Sequence, residues 1–448
     1  MRPLRVWVIS DLHLGPGTAL TNFRDARALA GFFDHLAADD RPSEVVLAGD
    51  TFDFLQCSGY HGFDPNLAVK HLQQILTNPA TTAVLQALTR YGRKSSHDIT
   101  ILAGNHDPEL LLSDVQSHVA DHIERAGSVY FADEVLVPGE GTRWPVWGRE
   151  LGDPGQPVWV VHGDRWDPHN AIQHDEVRER VARGQTVELP VGSHLVFEVL
   201  SRLKVGHRWV DELKPEFASV LPLLLYLDAP LTMRFLAQHP RISGGLLMGE
   251  IRGRLRAGAL FGGDVATTES EDIVGVLADD LASVLTEVPE GRREAALSAL
   301  ERWLEGGPES DRGEHTLASH TNPGRWLIRA WLAHIRKTDR FLRLDADDGV
   351  AAHMRRTVPA HVHTVIAGHT HGPRRHLDQR PRYLNTGTWV PVAQIPDGDI
   401  RIWIDMLDEN RGWPSTAPRT VAYVDLGGAE PAVKLMFVDE TGVPCEVP

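Results

Sequence analysis

The segment VIAGHTHGP (residues 365–373) contains two histidines separated by a single threonine. Its first three residues are apolar, as in a buried strand, and Gly368 is typical of a turn. His369 and His371 are therefore expected where a strand ends and a loop begins. In an extended backbone, residues two apart point to the same side, so both imidazoles are predicted to enter one site. Taken alone, such a pair is more typical of a protein surface.

Four other segments have the same build, in which apolar residues lead, usually through a glycine, to Asp, Asn or His. They are VISDLHLG (8–15), VLAGDTFD (46–53), ILAGNHDPE (101–109) and VVHGD (160–164). Strands that end in this way place their polar residues at the carboxyl edge of a sheet, where α/β proteins bind ligands. Carboxylate, amide and imidazole groups without thiols suit Mn²⁺, Fe, Zn²⁺ or Ni²⁺ at a reactive site rather than a structural zinc. The five segments together predict a metal site.

The composition is that of a globular protein, with 42% hydrophobic and 24% charged residues among 448. A formal charge of −16 argues against broad electrostatic binding to nucleic acid or to an anionic membrane. Cys57 and Cys445 are the only cysteines, which favours a reducing compartment and a cytoplasmic location. Neither a signal peptide nor a transmembrane segment is expected, since charged residues or prolines interrupt each apolar run.

The predicted secondary structure changes in character twice along the chain. Residues 1–172 alternate between strand-like and helix-like segments, 173–356 are predominantly helical, and strands return in 357–448. We therefore predict an α/β domain of layered α+β type in two parts, 1–172 and 357–448. The intervening 173–356 is predicted to be an all-helical insertion or cap.

The five motifs taken together resemble those of the calcineurin-like metallophosphoesterase superfamily. The resemblance implies a two-sheet β-sandwich flanked by helices, with two divalent metal ions at the strand ends, Mn²⁺ being the first choice. By this resemblance, one ion is bound by Asp11, His13 and His371, the other by Asn105, His162 and His369, and Asp50 bridges both.

The resemblance also implies the reaction. A hydroxide that bridges the two ions would attack a phosphodiester, a phosphomonoester or a pyrophosphate. His106 corresponds to a histidine that contacts the phosphate or protonates the leaving oxygen, and Asp53 to the carboxylate that orients it. Asp107 and Asp164 are expected to hold the loops in place rather than to bind metal.

The residues found within the motifs narrow the expected class of substrate. Phe54 stands where protein Ser/Thr phosphatases have an arginine, which disfavours that subfamily. The motif sequences are most similar to those of bacterial UDP-2,3-diacylglucosamine pyrophosphatases, although His106 stands where those enzymes have arginine. This similarity implies a small nucleotide-type or lipid-linked phosphorylated substrate chosen by the helical cap. Arg165 and Asn170, which follow His162 closely, are predicted substrate contacts.

Two other functions fit parts of the pattern. The superfamily also contains metal-dependent nucleases, but the acidic composition and the lack of a basic tail disfavour nucleic acid as a partner. A non-catalytic regulatory protein that binds a phosphorylated ligand is the second alternative. The presence of all seven predicted ligands disfavours it.

Overall fold

The computed structural model describes residues 5–123, 129–131, 148–151, 157–167, 169–210, 342–393 and 414–446, with residue 212 and parts of 223–333. The chain divides into two compact units. The first comprises Met1–Phe197, Arg340–Val392 and Ser415–Pro448, and the second comprises Glu198–Asp339 and Ala393–Pro414. All the predicted site residues belong to the first unit.

The described strands are β1 (Arg5–Ile9), β2 (Ser43–Ala48), β3 (His97–Leu102), β4 (Val129–Phe131), β5 (Gly148–Leu151), β6 (Val158–Val161), β7 (Thr364–Ala367), β8 (Pro373–His376), β9 (Arg382–Thr386), β10 (Val392–Ala393), β11 (Ser415–Thr416), β12 (Thr420–Asp425), β13 (Ala432–Val438) and β14 (Pro444–Glu446). The described α-helices are α1 (Ala26–Ala38), α2 (Pro65–Leu76), α3 (Pro79–Gly92), α4 (Ser113–His122), α5 (His174–Ala182), α6 (Val191–Leu195), α7 (Ser201–Leu203), α8 (Glu290–Gly306) and α9 (Gly349–Thr357). Short 3₁₀ turns follow β2, β3 and β6, at Phe54–Gln56, Pro108–Leu111 and Asp164–Trp166.

The first sheet has the strand order β14-β13-β12-β1-β2-β3-β4. Strands β1 to β4 run parallel, whereas β12 runs antiparallel to β1. All six residues of β2 are buried, as expected for a central strand covered on both faces. Val45 and Leu47 pack among the core residues of α1, α2 and α3. Val46 and Ala48 point to the opposite face of the sheet.

The second sheet has the order β5-β6-β7-β9-β8, in which β6, β7 and β9 are parallel. One face, including Val160 and Ile366, packs against Val46 and Ala48 of the first sheet. The other face, including Trp159 and Val365, packs against α9. Two sheets lie face to face with helices on their outer sides, so the predicted two-sheet sandwich of layered α/β type is confirmed.

The predicted helical region contains the described helices α5 to α9, and much of 213–341 lies outside the described residues. The bounds 173–356 for a separate insertion remain a prediction, and the division into compact units follows different bounds. Among the described helices, none is long and apolar enough to cross a membrane.

Candidate metal centre

The seven predicted metal ligands lie in the loops that follow five strands. Asp11 and His13 follow β1, Asp50 follows β2, Asn105 follows β3, His162 follows β6, and His369 and His371 follow β7. Strands β1, β2 and β3 are parallel neighbours, as are β6 and β7, so their carboxyl ends open at common sheet edges. Six of the seven residues are buried, and His369 is partly buried.

The backbone at these ligands is left-handed. The φ angles of five ligands are positive: Asp11 53°, His13 47°, Asp50 50°, His369 70° and His371 60°. Among the described residues, the only other non-glycine with positive φ is Arg419. This conformation costs on the order of 1–2 kcal/mol for an L-residue, and functional sites commonly contain such strain. The extended backbone predicted for His369 and His371 is therefore wrong, because the chain turns sharply after β7, although both imidazoles reach the one site as predicted.

One set of ligands, here called the Asp11 group, consists of Asp11, His13 and His371. His13 Nε2 lies 3.0 Å from His371 Nε2, which in turn lies 3.2 Å from Asp11 Oδ1. One potential ligand atom from each of these residues lies within 4.8 Å of the others, so the three can bind a single ion.

The other set, here called the Asn105 group, consists of Asn105, His162 and His369. Asn105 Oδ1 lies 3.1 Å from His162 Nε2 and 3.0 Å from His369 Nδ1. Asp50 Oδ2 lies between the two groups, 3.3 Å from His162 Nε2 and 3.8 Å from His13 Nε2. The structure thus places all seven predicted ligands around one site, with a carboxylate in reach of both groups.

The outward-facing ring nitrogens of three of these histidines meet hydrogen-bond acceptors. His13 Nδ1 lies 3.1 Å from Asp53 Oδ2, His162 Nδ1 lies 3.0 Å from the carbonyl oxygen of Ala48, and His369 Nε2 lies 3.0 Å from Asp167 Oδ2. A carbonyl or carboxylate oxygen can only accept, so each of these nitrogens donates. The inward-facing nitrogen of each neutral ring then carries a lone pair. Ring nitrogens that carry a lone pair can bind divalent cations. The hydrogen bonds made by the opposite ring nitrogens are of the type that commonly orients metal-binding histidines.

The buried carboxylates make the site favourable for positive charge. Burial alone would raise the pKa of Asp50, but His162 and His106 more than offset it and hold the pKa well below its usual range. The pKa of Asp11 is lowered to about 2, because His371 and His162 outweigh the effect of burial. Burial alone would lower the pKa of His162, yet Asp50 and Asp11 raise it well above its usual value. Two buried carboxylates therefore require protons or cations beside them.

The predicted catalytic pair is also assembled. His106 Nδ1 lies 3.2 Å from Asp53 Oδ1, and 17% of the His106 side chain is exposed against 2% of Asp53. The Oδ2 of Asp53 accepts from Gln56 Nε2 at 2.6 Å as well as from His13. Burial would raise the pKa of Asp53, but His106 and His13 keep it far below its usual range. One ionised carboxylate thus orients both His106 and a ligand of the Asp11 group.

Asp107 holds two of the ligand loops together, as its predicted structural role requires. Its carboxylate accepts from the N–H groups of Asp50, Thr51, Phe52 and Gly104 at 2.6 to 3.3 Å. Burial and the nearby Asp50 raise the pKa of Asp107 to about 7, despite these four donors. The carboxylate of Asp164 accepts from the N–H of Ile172 at 3.0 Å, which fixes the loop after β6.

Sequence reasoning missed Asn385, at the end of β9. Its amide nitrogen donates to the carbonyl of Gly368 at 2.7 Å and to Thr370 Oγ1 at 3.0 Å, so it holds the loop that carries both His369 and His371. Two residues that follow it in the chain reach the β1 loop, because Thr388 Oγ1 and the N–H of Trp389 donate to the carbonyl of Asp11. The only sequence signal is a polar, glycine-containing turn after a strand.

The two predicted substrate contacts lie next to the loop after β6. Arg165 is partly buried, and burial lowers its pKa to about 10. Asn170 Nδ2 donates to Asp167 Oδ2 at 2.7 Å, the same oxygen that accepts from His369. Their roles toward a substrate remain predictions.

Comparison with known proteins identifies the domain. Residues 4–207, slightly less than half of the chain, match the family described as calcineurin-like phosphoesterase. This match contains the loops after β1, β2, β3 and β6, and it ends before the β7 loop. No curated protein matches the chain. The family consists of metal-dependent phosphoester hydrolases, and the buried His and Asp groups of the site are compatible with divalent ions. Residues 4–207 are therefore a calcineurin-like phosphoesterase domain, and the protein is a phosphoesterase.

Proposed function

We propose that the protein hydrolyses a phosphodiester, phosphomonoester or pyrophosphate bond at a site that binds two divalent cations. The observation that carries the proposal is the position of Asp50, whose Oδ2 lies 3.3 Å from His162 Nε2 and 3.8 Å from His13 Nε2. One carboxylate within reach of two ligand groups is the arrangement expected of a two-ion site.

In this proposal the Asp11 group would hold one ion, the Asn105 group would hold the other, and Asp50, which lies within reach of both groups, would contribute to both. Oxygen and imidazole donors without thiols favour Mn²⁺, with Fe, Zn²⁺ and Ni²⁺ as alternatives. When bound, such a pair of ions lowers the pKa of a water molecule and neutralises charge on the phosphoryl oxygens. The left-handed backbone at five ligands supports the proposal, because strain of this kind is kept where geometry matters for function.

His106 is proposed to contact the phosphoryl group or to give a proton to the leaving oxygen. Its Nδ1 lies against the ionised Asp53 at 3.2 Å, which favours the cationic imidazole that a general acid requires. The N–H of His106 donates to Asp50 Oδ1 at 2.8 Å, so the residue is fixed beside the carboxylate that would serve both ions.

The substrate is proposed to be a small phosphorylated molecule of nucleotide or lipid-linked type, chosen by the helical segment 173–356. Arg165 is the proposed contact for a phosphate oxygen, since it follows His162 by three residues and is partly buried. Cleavage of the pyrophosphate bond of a nucleotide-lipid, the reaction of the enzymes that the motifs most resemble, is the narrowest form of this proposal.

The first experiment measures hydrolysis of bis(p-nitrophenyl) phosphate by protein treated with chelator and then supplied with Mn²⁺. We expect turnover only after Mn²⁺ is restored, and none in Asp50→Ala. The matched control is Asp114→Ala, because Asp114 is exposed in the first turn of α4, a helix that supplies none of the proposed site residues. A panel of phosphomonoesters, nucleotides and UDP-sugar pyrophosphates then identifies the substrate class. Absence of turnover on every diester, monoester and pyrophosphate by metal-loaded protein would contradict the proposal.

A further inference from the structure

We infer that Asp167 is a positioning residue for the Asn105 group, where it fixes the ring of His369 so that Nδ1 faces the metal. The inference rests on the proposed function, because it assigns to Asp167 a role in holding one of the two proposed ions. Asp167 lies outside the five motifs, three residues after the Asp of His-Gly-Asp.

The ring of His369 is held between two polar atoms. Its Nδ1 lies 3.0 Å from Asn105 Oδ1, on the side of the ligand group, and its Nε2 lies 3.0 Å from Asp167 Oδ2. The ring therefore has one orientation in which Nδ1 turns inward.

Asp167 is itself held on both oxygens. Oδ1 accepts from the N–H of His169 at 2.9 Å, and Oδ2 accepts from Asn170 Nδ2 at 2.7 Å as well as from His369. Asn170 in turn packs against the first turn of α6, where a Cβ at Gly192 would lie only 2.0 Å from Asn170 Oδ1. The carboxylate thus has a fixed position opposite the His369 ring.

The consequence for His369 follows from proton positions. An ionised carboxylate only accepts, so Nε2 of the neutral ring carries the proton and Nδ1 presents a lone pair. Asp53 has the same relation to His13 in the Asp11 group, with Nδ1 donating and Nε2 facing inward. Each ligand group therefore contains one histidine backed by a carboxylate. Asp164 does not have this role, because its Oδ2 accepts from the backbone of Ile172.

The test is a calorimetric titration of chelator-treated full-length protein with Mn²⁺. We expect two sites in the wild type, and in Asp167→Asn a loss of affinity of roughly 10–100-fold at one of them, as for other outer partners of metal-binding histidines. The other site should keep its affinity. Asp175→Asn, an exposed carboxylate on α5, is the matched control and should titrate like the wild type.

A second measurement separates positioning from a purely structural role. In ¹⁵N-histidine NMR spectra of the metal-free protein, recorded at a pH where the His369 ring is neutral, the proton should lie on Nε2; the His369 signals are assigned by their loss in His369→Gln. In Asp167→Asn this tautomer should no longer dominate, while the thermal midpoint of the metal-free protein stays within a few degrees. Asn170→Ala, which keeps the carboxylate, should weaken the same site by less, and it serves if Asp167→Asn does not fold.

The outcomes distinguish this inference from the proposed function. A wild type that binds no Mn²⁺ overturns both. A wild type with two sites, together with Asp167→Asn and Asn170→Ala that bind both ions with wild-type affinity, overturns only the role of Asp167. Equal weakening of both sites in Asp167→Asn also overturns it, because His369 is the one proposed ligand whose side chain Asp167 hydrogen-bonds.

Discussion

The two sheets of the sandwich supply different kinds of ligand to the same site. The first sheet contributes mainly oxygen donors, from loops that all lie between residues 11 and 105. The second sheet contributes only imidazoles, from His162 and from a loop about two hundred residues later in the chain. Each ligand group takes residues from both sheets, so neither sheet alone can hold either ion. The carboxylates tolerate burial because imidazoles of the second sheet face them.

The loops of the two sheets are also held in different ways. A carboxylate, Asp107, gathers four backbone N–H groups of the first-sheet loops. An amide, Asn385, donates to the backbone carbonyl of Gly368 and to Thr370 in the β7 loop of the second sheet. The first sheet therefore depends on an accepting group and the second on a donating group.

The largest expected effect comes from removing a single imidazole from either of the two ligand groups. His162→Ala and His371→Ala should each reduce the Mn²⁺ content from two ions to one and bring turnover below detection, since both ions are needed for hydrolysis. Elemental analysis of protein dialysed against Mn²⁺ measures the content. If His371→Ala keeps two ions and full turnover, the second sheet does not contribute as described. His122→Ala, exposed on α4, is the control.

Substitution of His106 tests a first-sheet residue that is proposed to act without binding metal. His106→Gln should lower kcat by about 10²–10⁴-fold, as expected for loss of a general acid, while both ions remain bound. Steady-state kinetics on a diester and metal analysis of the same sample provide the two values. Loss of an ion in this variant would instead make His106 a ligand, consistent with its closeness to His13 and Asp50.

The two loop anchors should differ in their effect on stability. Asn385→Ala leaves the buried carbonyl of Gly368 without this donor and should cost about 1–3 kcal/mol in the free energy of unfolding. Asp107→Ala leaves four N–H groups without their acceptor and should cost more. Urea denaturation of metal-free protein measures both. A larger loss in Asn385→Ala than in Asp107→Ala would contradict this account of how the loops are held.

The last expected effect, which is confined to a range of pH, concerns Glu109, a buried residue behind the first-sheet loops. Its Oε1 accepts from Tyr60 at 2.9 Å, its Oε2 has no hydrogen-bond partner among the described residues, and burial raises its pKa to about 8. Between pH about 4.5 and about 8 the folded state therefore holds a proton that the unfolded state releases, so stability falls as the pH rises through this window.

Glu109→Gln should remove that component of the pH dependence. We expect the variant to match the wild type near pH 5 and to exceed its free energy of unfolding by roughly 1–3 kcal/mol at pH 8, because the amide never becomes charged. Urea denaturation at both pH values measures the difference. An unchanged difference between variant and wild type across this range would show that Glu109 does not bury a proton.

Much of the fold and of the ligand set could be predicted from the sequence, because each ligand directly follows an apolar strand. The β7 loop was predictable only together with the other motifs, and the parallel pairing of β7 with β6 brings His369 beside His162. The left-handed backbone at Asp11 or His371 was not predictable, since a positive φ is uncommon even for Asp and His. The roles of Asp167 and Asn385 were not predicted, because their hydrogen-bond partners are more than a dozen residues away in sequence and lie in another loop.

An anomalous X-ray diffraction experiment on Mn²⁺-loaded crystals at the manganese absorption edge tests the two-ion site directly. We expect two anomalous peaks, one bounded by Asp11, His13 and His371 and the other by Asn105, His162 and His369, with Asp50 in contact with both. A single peak, or peaks without His369 and His371 as neighbours, would contradict the claim that the two sheets share a two-ion site.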